Sequence, residues 1–342
     1  MGPKVYVTRL IPKRGLDLLC SFAEAKIWEE ELPPPREVLL EEVREVEGLL
    51  SLLTDNIDAA LMDAAPDLKA ISNYAIGYNN IDVQAATERG ILVCHTPGVL
   101  TDTTADFTFT LLVCVARRVV EAVQYVRDGR WKTWGPLLCL GHDIHGSTLG
   151  LIGLGRIGSA VAKRATGFEM RILYYDVFRQ PTLERDLGLI YTDLDTLLQE
   201  SDFISLHTPL TPETYHMIDN EQFKMMKNTA ILINTSRGQV VDQKALYEAL
   251  AAGEIAGAGL DVTDPEPIHP DDPLLAMNNC IIVPHIASAS VAARTLMATM
   301  AAENLIAGLQ GRMPRNPVNP EALDKRRNCG SNAADRDGGS DA

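Results

Sequence analysis

Short apolar runs and stretches of helical spacing alternate along most of the chain. Lys4–Thr8, Gly48–Leu53, Ala70–Tyr74 and Ile91–Cys94 read as strands, and Arg36–Val46 between them has the spacing of a helix. From position 148 the alternation resumes. Thr148–Gly153, Arg171–Asp176, Asp202–Leu206, Ala230–Asn234, Gly257–Asp261 and Cys280–Pro284 read as six more strands, joined by short helices such as Gln243–Ala252, which Gly253 closes. Strands that alternate with helices predict an α/β chain with doubly wound parallel sheets. Two segments stand apart from this rhythm. Thr101–Arg118 reads as one long helix, apolar on most sides and therefore buried. The loop Gly129–Pro136 after it carries Trp131 and Trp134, two of the three tryptophans, as an interface arm would.

A last helix, Val291–Gly308, is expected to return to the first domain, because the opening strands are incomplete by themselves. The predicted plan is two domains. Residues 1–99 join 289–324 in one; residues 100–288 form the other, inserted into it, with a dimerisation arm at 101–147. The polar tail 325–342 has no periodicity and is expected to be disordered.

A length of 342 residues accommodates two cores of ordinary size. The net charge of −15 argues against nucleic acid, which calls for a basic face. It also means that an anionic substrate depends on local cations. No apolar run reaches the roughly 20 residues of a membrane helix. The opening residues run straight into a strand instead of a signal peptide, and six cysteines are scattered without a C-x-x-C pair. Free thiols in the cytoplasm are the expectation. His142 and His145 have no carboxylate or thiol cluster beside them, so no metal site is expected.

The chemistry begins at Gly153, Gly155 and Gly158, a G-x-G-x-x-G turn between a strand and the helix that starts Ser159-Ala160-Val161-Ala162. Its first glycine allows the tight turn, the second lets backbone approach a pyrophosphate, and the third lets helix pack on strand. The next strand ends in Asp176, 18 residues after Gly158, where a partner for the adenosine ribose is expected. An acid there repels a 2′-phosphate, so NAD(H) is expected over NADP(H), with Arg179 nearby as the one opposing sign. Arg237, Glu266 and His285 then follow three successive strands, at the edge where open α/β sheets carry their reactive groups. Histidine can protonate the oxyanion left by hydride transfer to a ketone. A carboxylate on its other nitrogen sets the tautomer, and an arginine fork binds a substrate carboxylate. His207, at the end of another strand, reads as a wall on the adenosine side.

These motifs together resemble the D-isomer-specific 2-hydroxyacid dehydrogenase family over residues 4–320, and within it the glyoxylate/hydroxypyruvate reductases most. The segments concerned are Gly150–Gly158, Met225–Gly238, Asp261–Pro267, Pro284–Ser290, Asn73–Asp82 and Thr104-Ala105-Asp106. The resemblance implies a Rossmann cofactor domain inserted into a flavodoxin-like substrate domain. It implies an oxidoreductase that converts small 2-oxo acids to D-2-hydroxy acids with NAD(P)H. In it Arg237 binds substrate, His285 is the acid/base, Glu266 supports His285, and Asp261 holds the nicotinamide carboxamide. The backbone at Ala75, Ile76 and Gly77 receives the substrate carboxylate, with Ser288 beside it. Thr104, Arg156, Ile157, His207, Pro209, Thr214 and Thr235 join the glycines and Asp176 around the cofactor. Trp134 reaches the partner's active site in a homodimer. Formate dehydrogenases carry Gln where Glu266 stands, and phosphite dehydrogenases carry Lys where Ile76 stands. Ala287 departs from the family, which has Gly there, and a tighter loop after His285 is expected. The alternatives are another D-2-hydroxyacid or phosphite dehydrogenase and, in a different class, a corepressor-like scaffold that senses NAD.

Overall fold

The computed structural model describes residues 2–325. They divide into two compact units, one from residues up to Leu100 together with those from Ser290 onward, the other Thr101–Ala289.

The first unit carries β1 (Lys4–Val7), β2 (Glu24–Ile27), β3 (Gly48–Ser51), β4 (Ala70–Asn73) and β5 (Leu92–Cys94). All pair in parallel in the order β2-β1-β3-β4-β5, the flavodoxin-like winding. β3, β4 and β5 are buried along their whole length, as strands covered by helices on both faces must be. β2 escaped the sequence reading because it is an edge strand whose exposed and half-buried positions alternate. The helix Val291–Leu309 completes this unit. Met297, Ala298, Ala301, Ala302 and Leu305 are buried on it. It lies so close to the helix Lys13–Phe22 that a Cβ on Gly15 would sit 2.6 Å from the Ala298 backbone.

The second unit carries β6 (Thr148–Ile152), β7 (Arg171–Tyr175), β8 (Ile190–Tyr191), β9 (Phe203–Leu206), β10 (Ile231–Asn234), β11 (Gly257–Leu260) and β12 (Cys280–Ile282). Their order is β12-β11-β10-β9-β6-β7-β8, all parallel, so the winding reverses between β6 and β9. This is the Rossmann arrangement, in which ligands bind at that reversal. The strand period of two divides the core. Leu149, Leu151, Ile172 and Phe203 pack on one face, Ile152, Leu173, Ile204 and Leu206 on the other. The sheet has seven strands and not six, because β8 is a two-residue, exposed edge with no apolar run to announce it.

The long helix is also corrected. It ends at Ala116, and a second helix, Val119–Arg127, begins at once. Arg118 between them has φ +51, and its guanidinium is held by Glu121 and the Leu140 carbonyl. The His142 amide takes the Ala116 carbonyl at 2.8 Å, which caps the first helix where the apolar pattern would have carried it on. Cys20, Cys94, Cys114, Cys139 and Cys280 are free. No helix among the described residues is long and apolar enough to cross a membrane. Of the expected disordered tail, residue 325 ends a short helical segment, 321–325, and positions 326–342 lie outside the described residues.

Candidate active site

β6 runs into the glycine turn and the helix Arg156–Thr166. Gly153 has φ +94, and a Cβ there would stand 2.8 Å from the His207 carbonyl carbon and oxygen. A Cβ on Gly158 would run into the Gly153 carbonyl oxygen. Gly155 differs from both, because a Cβ there would meet nothing within 4 Å. The protein itself has filled the space at two glycines and left it open at the third. No side chain caps the helix at Gly155, so its first N–H groups, at Arg156 and Ile157, are free to take an outside anion. Asp176 braces the turn, its carboxylate accepting from the Leu154 amide at 2.6 Å and from the Phe178 amide at 3.1 Å. Arg179 is engaged elsewhere, in a two-pronged pair with Glu184 at 2.8 and 2.8 Å. That arginine and the Tyr174 hydroxyl hold the Glu184 carboxyl down at about 2.

His207 follows β9 across the reversal. Its Nε2 lies 2.9 Å from the Ser205 hydroxyl, and burial of the ring pulls its pKa down to about 4. A neutral imidazole of that kind is a wall and not a proton donor. Thr214 locks the adjoining loop, donating to the Pro209 carbonyl at 2.7 Å and accepting from the Thr211 amide at 2.8 Å. Thr235 joins the Thr108 hydroxyl at 2.8 Å, and Thr108 donates in turn to the Thr104 carbonyl. The Thr104 and Thr208 hydroxyls are buried with no partner among the described residues. Leaving such groups unpaired costs about 1–3 kcal/mol each, so they fit a site completed by a polar ligand. Turn, helix start, acid and orphaned hydroxyls together suit a dinucleotide.

β10, β11 and β12 are neighbours, and Arg237, Glu266 and His285 all stand beyond their carboxyl ends. Arg237 is held by its backbone: Asn234 Nδ2 donates to the Arg237 carbonyl at 2.9 Å, while Asn234 Oδ1 accepts from the Ser236 amide at 3.0 Å. A Cβ on Gly238 would collide with the Thr263 carbonyl, so the loops after β10 and β11 touch there. Burial lowers the Arg237 pKa, and the charge of Glu266 works against that. His285 Nδ1 lies 2.6 Å from Glu266 Oε1. The His285 residue has φ +53, and its amide is shared between the Asp261 and Val283 carbonyls at 3.0 Å each. Asp261, 1% exposed, accepts from the Ile286 and Ala287 amides at 2.6 and 3.0 Å. Burial pushes its carboxyl pKa up, against those two bonds. Ala287 stays out of the left-handed region and is buried, so a methyl fits; the strained backbone belongs to His285. Ser288, half-buried, follows.

One residue that matters here is absent from the sequence reading. Asn234 ties the Arg237 loop, and the one hint was an Asn at a strand end before Ser. Asp261, which the resemblance places at the nicotinamide carboxamide, also holds with both of its oxygens the loop that carries His285. Ala75, Ile76 and Gly77 follow β4 in the other unit. Trp134 is 79% exposed.

The family model for the D-isomer-specific 2-hydroxyacid dehydrogenase NAD-binding domain matches residues 109–287, more than half of the chain. The chain belongs to that family. This dehydrogenase is 58% identical over 327 residues to a glyoxylate reductase of Korarchaeum cryptofilum, covering 95% of this chain and 98% of that one. Its fold is similar to the TT0316 protein of Thermus thermophilus, with TM-score 0.88, 50% identity and coverage of 92% and 99%. It is also similar to the NADPH-dependent glyoxylate/hydroxypyruvate reductase of Sinorhizobium meliloti in complex with NADP and malonate, at TM-score 0.81 and 33% identity, covering 94% and 98%. This dehydrogenase is therefore an oxidoreductase with a nicotinamide-dinucleotide domain, of a family that takes small 2-hydroxy and 2-oxo acids.

Proposed function

We propose that the chain reduces glyoxylate and hydroxypyruvate to their 2-hydroxy acids, with NADH as the preferred cofactor. The observation that carries this reading is the 2.6 Å contact between His285 and Glu266 beside the half-buried Arg237. When bound, the reduced nicotinamide supplies a hydrogen and two electrons to the keto carbon, leaving charge on the keto oxygen. His285 donates a proton to that oxygen from Nε2. Glu266, accepting from Nδ1, fixes the tautomer and the orientation of the ring. Arg237 draws the acid's negative charge into a poorly hydrated site, where its fork counts for more than in water. Asp261 acts by holding residues 285–287. The amides at Ile76 and Gly77 receive the substrate carboxylate, and Ser288 lies on the substrate side.

The start of the helix at Arg156 and Ile157 holds the pyrophosphate. Asp176 takes the adenosine ribose, and Thr104, His207, Pro209, Thr214 and Thr235 complete the cofactor's surroundings. Preference for NADH follows from two features. Asp176 places a negative charge at the turn, and Arg179, the nearby cation, is already paired with Glu184. The same fold in Sinorhizobium meliloti serves an NADPH-dependent enzyme, so these side chains and not the architecture are expected to decide. The chain works as a homodimer through the region 101–147, where Trp134 serves the partner. A panel of short 2-oxo acids with both cofactors tests the reading. NADH is expected to exceed NADPH in kcat/KM by about tenfold or more, as a repelled 2′-phosphate implies. A higher value for NADPH would refute the Asp176 argument, and no NADH oxidation with any acid would refute the activity.

A further inference from the structure

Three successive peptide planes after β4 are pinned by their carbonyl oxygens. The Ala75 carbonyl accepts from the Thr96 amide at 2.8 Å. The Ile76 carbonyl meets His95 Nδ1 at 2.7 Å. The Gly77 carbonyl accepts from Asn73 Nδ2 at 2.9 Å. In a trans peptide the N–H points opposite to the C=O. Each of the amides of Ile76, Gly77 and Tyr78 therefore points away from the clamp on its own peptide, and none has an acceptor among the described residues. Successive amides left without an acceptor make a receptacle for an anion.

His95 is the least expected of the three clamps. It stands one residue beyond β5, at the same carboxyl edge as the loop after β4. A carbonyl can only accept, so Nδ1 carries the proton and the tautomer is settled. The histidine is itself held firmly. Its amide reaches the Asn316 carbonyl at 3.3 Å, and the buried Asn304 donates to its carbonyl at 3.0 Å. Its ring meets the Tyr78 ring edge-on, with centroids 5.5 Å apart.

We infer that His95 is a positioning residue for the reaction, whose Nδ1–H orients the Ile76–Gly77 peptide so that the Gly77 N–H faces the substrate carboxylate. This rests on the reading of residues 75–77 as the carboxylate-receiving loop. The chemical group recognised is the carboxylate common to short 2-oxo acids, so the effect falls on substrate affinity and not on the proton transfer at His285.

Steady-state kinetics with glyoxylate and NADH on three variants test it. His95→Ala removes the donor, and His95→Phe removes it while keeping a ring against Tyr78. His95→Asn can place its Nδ2 near the position of Nδ1. The Ala and Phe variants are expected to raise KM about tenfold or more, with kcat within about threefold and NADH affinity unchanged. The Asn variant is expected to restore KM to within about threefold of the original. Should the Ala variant fail to fold, the Phe variant decides. An unchanged KM in the donor-less variants, an Asn variant as impaired as they are, or a loss confined to kcat overturns the inference. Unaltered protein that turns over no 2-oxo acid overturns the proposed function and this inference with it, so the two failures are told apart by the unaltered enzyme.

Discussion

At the scale of single residues, His285 combines chemistry with strain. Its φ of +53 lies in the left-handed region, which costs a non-glycine residue about 1–2 kcal/mol and suits Asn better than most. His285→Asn is therefore expected to fold and bind NADH like the parent while kcat falls by about 10²–10⁴-fold, the usual worth of an acid catalyst. An unaltered rate, measured beside NADH affinity, would remove His285 from the proton transfer. His207 gives a prediction in pH. Its ordinary pKa of 6.5 drops to about 4 in the folded protein. As pH falls below 6.5 the unfolded chain takes up the proton first, so folding loses up to about 3 kcal/mol by pH 4 from this group. Urea unfolding at pH 7 and pH 4.5 should show a smaller acid loss for His207→Asn, and equal losses would sink the claim. Much at this scale was legible in the sequence. Arg237, Glu266 and His285 follow strands that only one winding places side by side. The ties made by Asn234 and Asp261 were not legible, because a side chain that bonds backbone amides depends on loop dihedrals that no residue pattern encodes.

At the scale of elements, the glycine turn separates what packing requires from what a ligand requires. Gly158 faces the Gly153 carbonyl directly, whereas Gly155 faces open space. Gly158→Ala is expected to force helix from strand and lower the thermal midpoint by several degrees, about 2–4 °C per kcal/mol for a unit of the size of Thr101–Ala289. Gly155→Ala should leave the midpoint unchanged and weaken NADH binding. Equal effects on stability, read by thermal unfolding with and without NADH, would contradict the distinction. The turn itself was plain in the sequence, with its strand, spacing and acid. Helix ends and edge strands were less so. The break at Arg118 depends on Glu121, Leu140 and His142 arriving from further along the chain, and apolar spacing alone ran the helix through it. β2 and β8 are too exposed to give an apolar run.

At the scale of the whole molecule, the segment after Arg118 stands out. The helix Val119–Arg127 buries none of its residues. Val120 and Val126 are each 52% exposed, and Trp131, Leu137 and Leu140 further along the chain are exposed as well. Apolar exposure on this scale marks a surface that another molecule covers. Light scattering is expected to give twice the 37.4 kDa of one chain, and Val123→Asp with Leu137→Asp to return it to a single chain; a single-chain mass for the parent protein contradicts the homodimer. The chain order of the two units has a further consequence, in time. The first sheet waits for the helix Val291–Leu309, whose buried face closes it, and the 189 residues of Thr101–Ala289 are made in between. At typical rates of synthesis that interval is on the order of ten to forty seconds. Throughout it the nascent chain exposes the apolar positions of β3 and β4 that this helix will cover, so the ribosome-bound protein is most open to chaperones and proteases after its first hundred residues are already complete.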